Sequence, residues 1–227
     1  KPPYSAARDG RTDATAAIQR AIDDAYRHRF SVFFPEGVYL VSSTLRCVKP
    51  NSPSRNYGHS LIGSTKGARP VLKLKDGSQL DENILLLFRH LDANGKPNSP
   101  SHYSALLRGI DIDMGRNPEA SAVSMAGAQL CAIEDVTIRG DFHAGVFQMP
   151  GSGGGIAGLR VLGGRIGILQ NEYRPNPLAS DVILEGQSEC GVKVLNARGP
   201  VILCGFRIVS PESPSPQYRA VAAESLS

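Results

Sequence analysis

Five short segments in the second half of the chain repeat with nearly constant spacing, and this limits the possible folds more than any other feature. They are Ile110-Asp-Ile-Asp-Met, Val136-Thr-Ile-Arg-Gly, Leu159-Arg-Val-Leu-Gly, Val182-Ile-Leu-Glu-Gly and Phe206-Arg-Ile-Val-Ser, with starts 26, 23, 23 and 24 residues apart. The first and third positions are always apolar, so period-2 alternation sends both side chains to one side of a strand. A second strand recurs in step at Ala122-Val123, Gly145-Val146, Gly167-Ile168, Gly191-Val192 and Ala220-Val221. A third apolar column lies three residues before each first strand, at Leu107, Ile133, Ile156, Ala179 and Leu203. Three apolar columns per unit of 22 to 26 residues predict a three-sheet solenoid. Such units leave no room for the crossover helix of an α/β fold, and a leucine-rich repeat would need its L-x-x-L-x-L pattern. The expected fold is therefore all-β, a right-handed parallel β-helix in one domain over residues 1–227, with regular coils over 104–224. After the last coil no polar cap or terminal helix follows, so this end is expected to meet further chain, a second β-helix domain or an oligomer partner.

The N-terminal 45 residues read differently. Asp9-Gly10 is a turn signal, and Thr12 or Asp13 is placed to cap a helix that follows. Ile18, Ile22 and Ala25 share one helical face, which predicts an amphipathic helix of about three turns. Two β runs broken by Pro35-Glu36-Gly37 come next. The motif D-G-x-T-D-x-T-x-A-I-Q-x-A-I over residues 9–22, followed by V-x-F-P-x-G-x-Y-x-V over 32–41, resembles the N-terminal signature of the pectate-lyase superfamily. That group includes family 55 glucanases, rhamnogalacturonase-like proteins and some phage tail spikes. Ala14 departs from the pattern, which often has a second Asp there. The resemblance implies that the helix caps the solenoid and that Asp9 and Asp13 are structural. It also implies an extracellular or periplasmic protein with a polysaccharide substrate. In the family 55 glucanases the cleft lies between two β-helices, whereas this chain holds one.

Composition excludes several other classes. With 227 residues, 41% hydrophobic and a net charge of +4, the chain can bury a core and shows no basic cluster for nucleic acid. No apolar run reaches the roughly 20 residues of a membrane span, and Lys-Pro-Pro-Tyr is no signal peptide. Cys47, Cys131, Cys190 and Cys204 lack zinc-like spacing and read as buried free thiols. His28, His59, His90 and His102 are dispersed, so no metal site is expected, and no G-x-S-x-G nucleophile motif occurs. Gly151 and Gly153–Gly155 read as a tight corner and not as a phosphate loop.

The outward positions follow from the same register. Asp111 and Asp113 project from one strand face, as paired acid/base work or Ca²⁺ binding requires, though Asp113 and Arg139 are also placed for a surface ion pair. Glu172, in the loop Asn171–Asn176, is a second candidate acid or base. Tyr173 could stack on a sugar, and Arg174 could hold a carboxylate or hydroxyl. Gln148 and Gln170, on equivalent positions of adjacent coils, suit either an amide ladder or sugar hydroxyls. His143 sits at a turn as a candidate substrate contact. Three functions stay open: a glycoside hydrolase of β-1,3-glucanase type, a lyase on a uronate polymer, and a non-catalytic carbohydrate-binding or tail-spike-like β-helix. No cofactor is expected, and Ca²⁺ enters only with lyase chemistry.

Overall fold

A computed structural model describes residues 4–49, 58–96, 102–171, 176–196 and 199–224. Every pairing between its strands is parallel, and the strands form three ribbons that wind as one β-helix. The first ribbon stacks β1 (Asp9–Asp13), β3 (Val38–Val41), β6 (Val71–Leu74), the start of β9 (Asp111–Met125), and segments of β10 (Ala132–Phe147), β11 (Gly155–Gly163), β13 (Leu178–Glu185) and β15 (Ile202–Val209). The second stacks β4 (Leu45–Lys49), β7 (Ile84–His90), the ends of β9 and β10, β12 (Ile166–Gln170), β14 (Cys190–Leu195) and β16 (Arg219–Glu224). The third begins with β2 (Val32–Phe34), β5 (Ser60–Gly63) and β8 (Leu106–Arg108), and continues through the first residues of β10, β11, β13 and β15.

The predicted columns are the observed ones. Ile112 pairs with Ile138, Ile138 with Val161, Val161 with Leu184 and Leu184 with Ile208. In the second ribbon Val123, Val146, Ile168, Val192 and Val221 follow one another, and in the third Leu107, Ile133, Ile156, Ala179 and Leu203. Nearly all of these side chains are buried, each worth roughly 1.5–3 kcal/mol when a Val, Leu or Ile leaves water. In the last coil Leu203, Phe206 and Ile208 are only partly buried and Val221 is half exposed.

A corner between the third and first ribbons recurs at one left-handed residue per coil. Gly109, Asp135, Gly158, Asp181 and Gly205 have φ of 68, 55, 66, 51 and 60°. Each directly precedes the first strand of its coil. Glycine pays no Cβ penalty there, and aspartate is among the few other residues that visit this region.

Helix α1 (Thr15–His28) buries Ile18, Ala21, Ile22 and Ala25 in the main core, against the first coil. Its N-cap is Ala14, not Thr12 or Asp13. Asp13 stands one residue earlier, accepting the Thr15 N–H at 2.8 Å and the Ser42 hydroxyl. Asp9 accepts the N–H groups of Thr12 and Arg11 and the Thr12 hydroxyl, and these bonds pull its carboxyl down to about 2. Both carboxylates thus hold local backbone. Residues 9–13, read as a turn and cap, also form the edge strand β1 against β3. Gln19 accepts the Arg46 N–H and donates to the Arg46 carbonyl at 2.8 and 3.0 Å, satisfying the open edge of β4 as a neighbouring strand would. None of the four cysteines is in a disulfide, but Cys204 is exposed because it falls on the outward side of the third ribbon.

Candidate functional site

The three outer faces differ chemically. On the third ribbon Leu106, Ala132, Gly155, Leu178 and Ile202 stand side by side, an apolar and small-residue row. An apolar cavity of about 450 Å³ beside α1, lined by Ile18, Phe34 and Tyr39 among others, holds no carboxylate. Titratable groups collect instead on the first ribbon and at its corner with the second.

Asp111 and Asp113 open β9 and flank the buried Ile112, so alternation turns both carboxylates outward, as expected. Their side chains are 18% and 26% exposed. Asp111 accepts the Thr137 N–H at 3.2 Å and faces Arg69 Nε at 3.5 Å. Arg69 in turn pairs with Asp135 at 2.7 Å. Asp113 accepts the Gly115 N–H at 3.1 Å and pairs with Arg139 at 3.4 Å, the expected inter-coil ion pair. Lys73 occupies the register position on its other side. Each carboxylate therefore has a guanidinium where a cation would have to bind, and the pair does not fit Ca²⁺. Among the described residues no group of three or more His, Cys, Asp or Glu is arranged to hold a metal ion.

His143 lies within β10, where the strand bends from the first ribbon to the second, and not in a separate turn. It is half-buried, and burial, followed by the charge of Arg165, holds its imidazole below the ordinary range against the opposing pull of Glu189 and Glu119. Around it runs a charged ladder that the sequence reading missed. Arg165 meets Glu119 at 4.0 Å and Glu189 at 3.2 Å, and Lys193 meets Glu189 at 3.2 Å and Glu224 at 3.8 Å. Burial alone would raise Glu189, but the hydrogen bonds and charges of Lys193 and Arg165 hold it below the usual carboxylate range. Residues 119, 143, 165 and 189 recur at 24, 22 and 24 residues, so the coil period did contain this signal.

Gln148 and Gln170 are 3% and 1% exposed, which takes them off the surface on which sugar contacts were expected. The Gln170 side-chain oxygen accepts the Met149 N–H at 2.7 Å, and that of Gln148 accepts the Asn171 N–H at 3.2 Å. They form the amide ladder of a corner, because buried backbone donors there require acceptors. Glu172, Tyr173 and Arg174 lie outside the described residues.

A glucan 1,3-beta-glucosidase of Cochliobolus carbonum is 29% identical over 189 residues, covering 73% of this chain and 22% of that protein. A non-secreted LysM effector of Penicillium expansum is 27% identical over 183 residues, covering 72% of this chain and 14% of that protein. The chain thus spans less than a quarter of the length of either relative. Among solved structures, the A-module of the Azotobacter vinelandii mannuronan C-5 epimerase AlgE4 aligns with 97% of this chain and 79% of its own, at 16% identity and a TM-score of 0.35. The family model described as rhamnogalacturonase A/epimerase, pectate lyase-like, matches residues 3–207. With that match running from the N-terminal motif into β15 of the last coil, the chain belongs to the rhamnogalacturonase A/epimerase, pectate lyase-like family.

Proposed function

We propose that this chain is the β-helix of an extracellular or periplasmic polysaccharide-acting protein, and that the glycan lies across the outer face of the first ribbon. The observation behind this reading is the paired carboxylates Asp111 and Asp113, outward on one strand and flanked by Arg69, Lys73 and Arg139. Carboxylates, guanidiniums and an ammonium side by side can hydrogen-bond sugar hydroxyls from both donor and acceptor sides. The named activity of the Cochliobolus relative supports a β-1,3-glucan as first substrate to try. Among the described residues no helix is long and apolar enough to cross a membrane.

The finer reading is a glycoside hydrolase with Asp111 and Asp113 in acid/base roles. Both carboxylates sit beside an arginine; in this reading they take the base or nucleophile role, and the general acid falls to another residue or domain. Incubation with β-1,3-glucan, pectin and alginate should release reducing ends from the first. Absorbance from unsaturated uronate would instead identify a lyase. Asp111→Asn is expected to lower turnover by about two or more orders of magnitude, with the fold checked by circular dichroism. Near-normal turnover by that variant would remove Asp111 from the chemistry. A second reading, a non-catalytic binder, is favoured by the ion pairing of both carboxylates. It predicts glycan retention in affinity electrophoresis with no product from any of the three polymers.

A further inference from the structure

The corner between the second and third ribbons in the first coils buries an unusual set of polar side chains. His59, His90 and His102 are 5%, 5% and 0% exposed, and Lys49 is 2% exposed. They come from four places in the chain: Lys49 ends β4, His90 ends β7, His59 precedes β5 and His102 precedes β8. Tyr26 of α1 stacks on the His59 ring, with centroids 4.8 Å apart, so the capping helix rests on this cluster. The Lys49 ammonium lies 5.9 Å from the centre of the Tyr103 ring. The Cys131 thiol donates to the His102 carbonyl, closing the cluster from the β10 side. Among the described residues Nδ1 of His59 has no hydrogen-bond partner, and neither ring nitrogen of His102 makes a well-formed hydrogen bond, the Arg89 backbone being only an electrostatic neighbour. A buried imidazole without partners tolerates only its neutral form, since protonation would place an unpaired charge in an apolar interior.

We propose that His59 and His102 form an acid-sensitive latch: in mildly acidic solution they take up protons, the corner opens, and α1 is released from the first coils while the later coils stay folded. Burial sets the sense of the response at both rings, and the groups facing His102 add to it. His102 is opposed by His59, Lys49 and His90, whose charges repel a proton, and only the Arg89 backbone favours its charged form. Among the described residues, Tyr26, Tyr103 and Cys131 also lie against the cluster and carry no positive charge. Burial holds His59 at about 4, and burial with those charges holds His102 at about 3, against 6.5 in the unfolded chain. The sign follows from the folded values being lower. The latch is fully closed above pH 6.5, and its stability is lost as pH falls from 6.5 toward 4 for His59 and toward 3 for His102. Each ring then multiplies the ratio of open to closed corner by about tenfold per pH unit within its window.

Amide hydrogen exchange followed by mass spectrometry, corrected for the intrinsic pH dependence, tests this on the full chain between pH 7.5 and 4.5. Protection of residues 15–28, 45–49, 58–63 and 102–108 is expected to fall by at least about 100-fold across that range, while residues 132–170 change far less. The double variant His59→Gln/His102→Gln should lose this pH slope. Equal loss of protection in both regions, or an unchanged slope in the double variant, would overturn the proposal. If the double variant does not fold, deuterium exchange at the imidazole C2 positions of the unmodified protein decides. Titration of both rings well below 6 is expected, and titration of either at 6.5 or above overturns the latch.

Discussion

The coils before residue 110 and those after it use the same three ribbons, but their interiors are filled differently. From Ile133 to Val192 the inward columns are apolar and the buried polar side chains are the uncharged amides Gln148, Gln170 and Gln187, with coils 22 to 24 residues apart. The earlier coils bury Thr44, Lys49, His59, His90 and His102, and their second-ribbon strands are joined by longer, unequal connections. Leu45 pairs with Leu86 and Leu86 with Val123, intervals of 41 and 37 residues where the coils from Val123 to Val192 need 22 to 24. Apolar stacking on a constant period yields rigid scaffold. Variable loops bring polar side chains to the corners, and those chains bring sensitivity to pH with them.

Removing packing from the regular half should have the largest effect. Phe142 is fully buried and lies so close to Gly164 that a Cβ added there would come within 2.2 Å of its ring. Phe142→Ala is expected to lower the unfolding free energy by about 3–5 kcal/mol, read from urea melts. A loss below about 1 kcal/mol would break the contrast, because the later coils would then not depend on close packing. A smaller effect is expected at the left-handed corner. Asp181→Val should cost about 1–2 kcal/mol, because a β-branched residue resists a φ of 51°, while Asp181→Gly should stay within about 0.5 kcal/mol of the parent. Equal costs for the two would mean that the aspartate side chain, and not the backbone, holds the corner. The smallest belongs to the half-exposed pair of Asp113 and Arg139. Asp113→Asn should cost less than about 1 kcal/mol, and 1 M salt should shrink the difference further. A loss above about 2 kcal/mol would show that this face is built for stability more than for a ligand.

Most of the later coils was legible because a strand's inward set is fixed locally by alternation, and a short constant loop preserves the period. Ile112 over Ile138 over Val161 needed no knowledge of distant residues. The coils between residues 45 and 90 were missed because their unequal connections hide β4 to β7 from a search for fixed spacing. The left-handed Gly/Asp column and the ladder of Glu119, His143, Arg165 and Glu189 did repeat on the period. Hydropathy alternation does not report them, because a left-handed φ and a surface charge leave no mark on the apolar pattern. At Gln148 and Gln170 the sequence allowed two readings, and burial at the corner decided for the amide ladder.

The amino-acid sequence by itself determined the coil, its three columns, the capping helix and the outward placement of Asp111 and Asp113. All of these rest on interactions between residues near in the chain or one period apart. Tertiary structure alone decided that Arg69 reaches Asp111 and Asp135, and that Lys49, His59, His90 and His102 meet in one buried corner. Those contacts join residues up to 66 positions apart across loops of unequal length, and no periodicity reports where such loops return the chain. Polar residues that composition assigns to the surface are interior there, because burial is set by where the loops bring distant strands together and not by residue type.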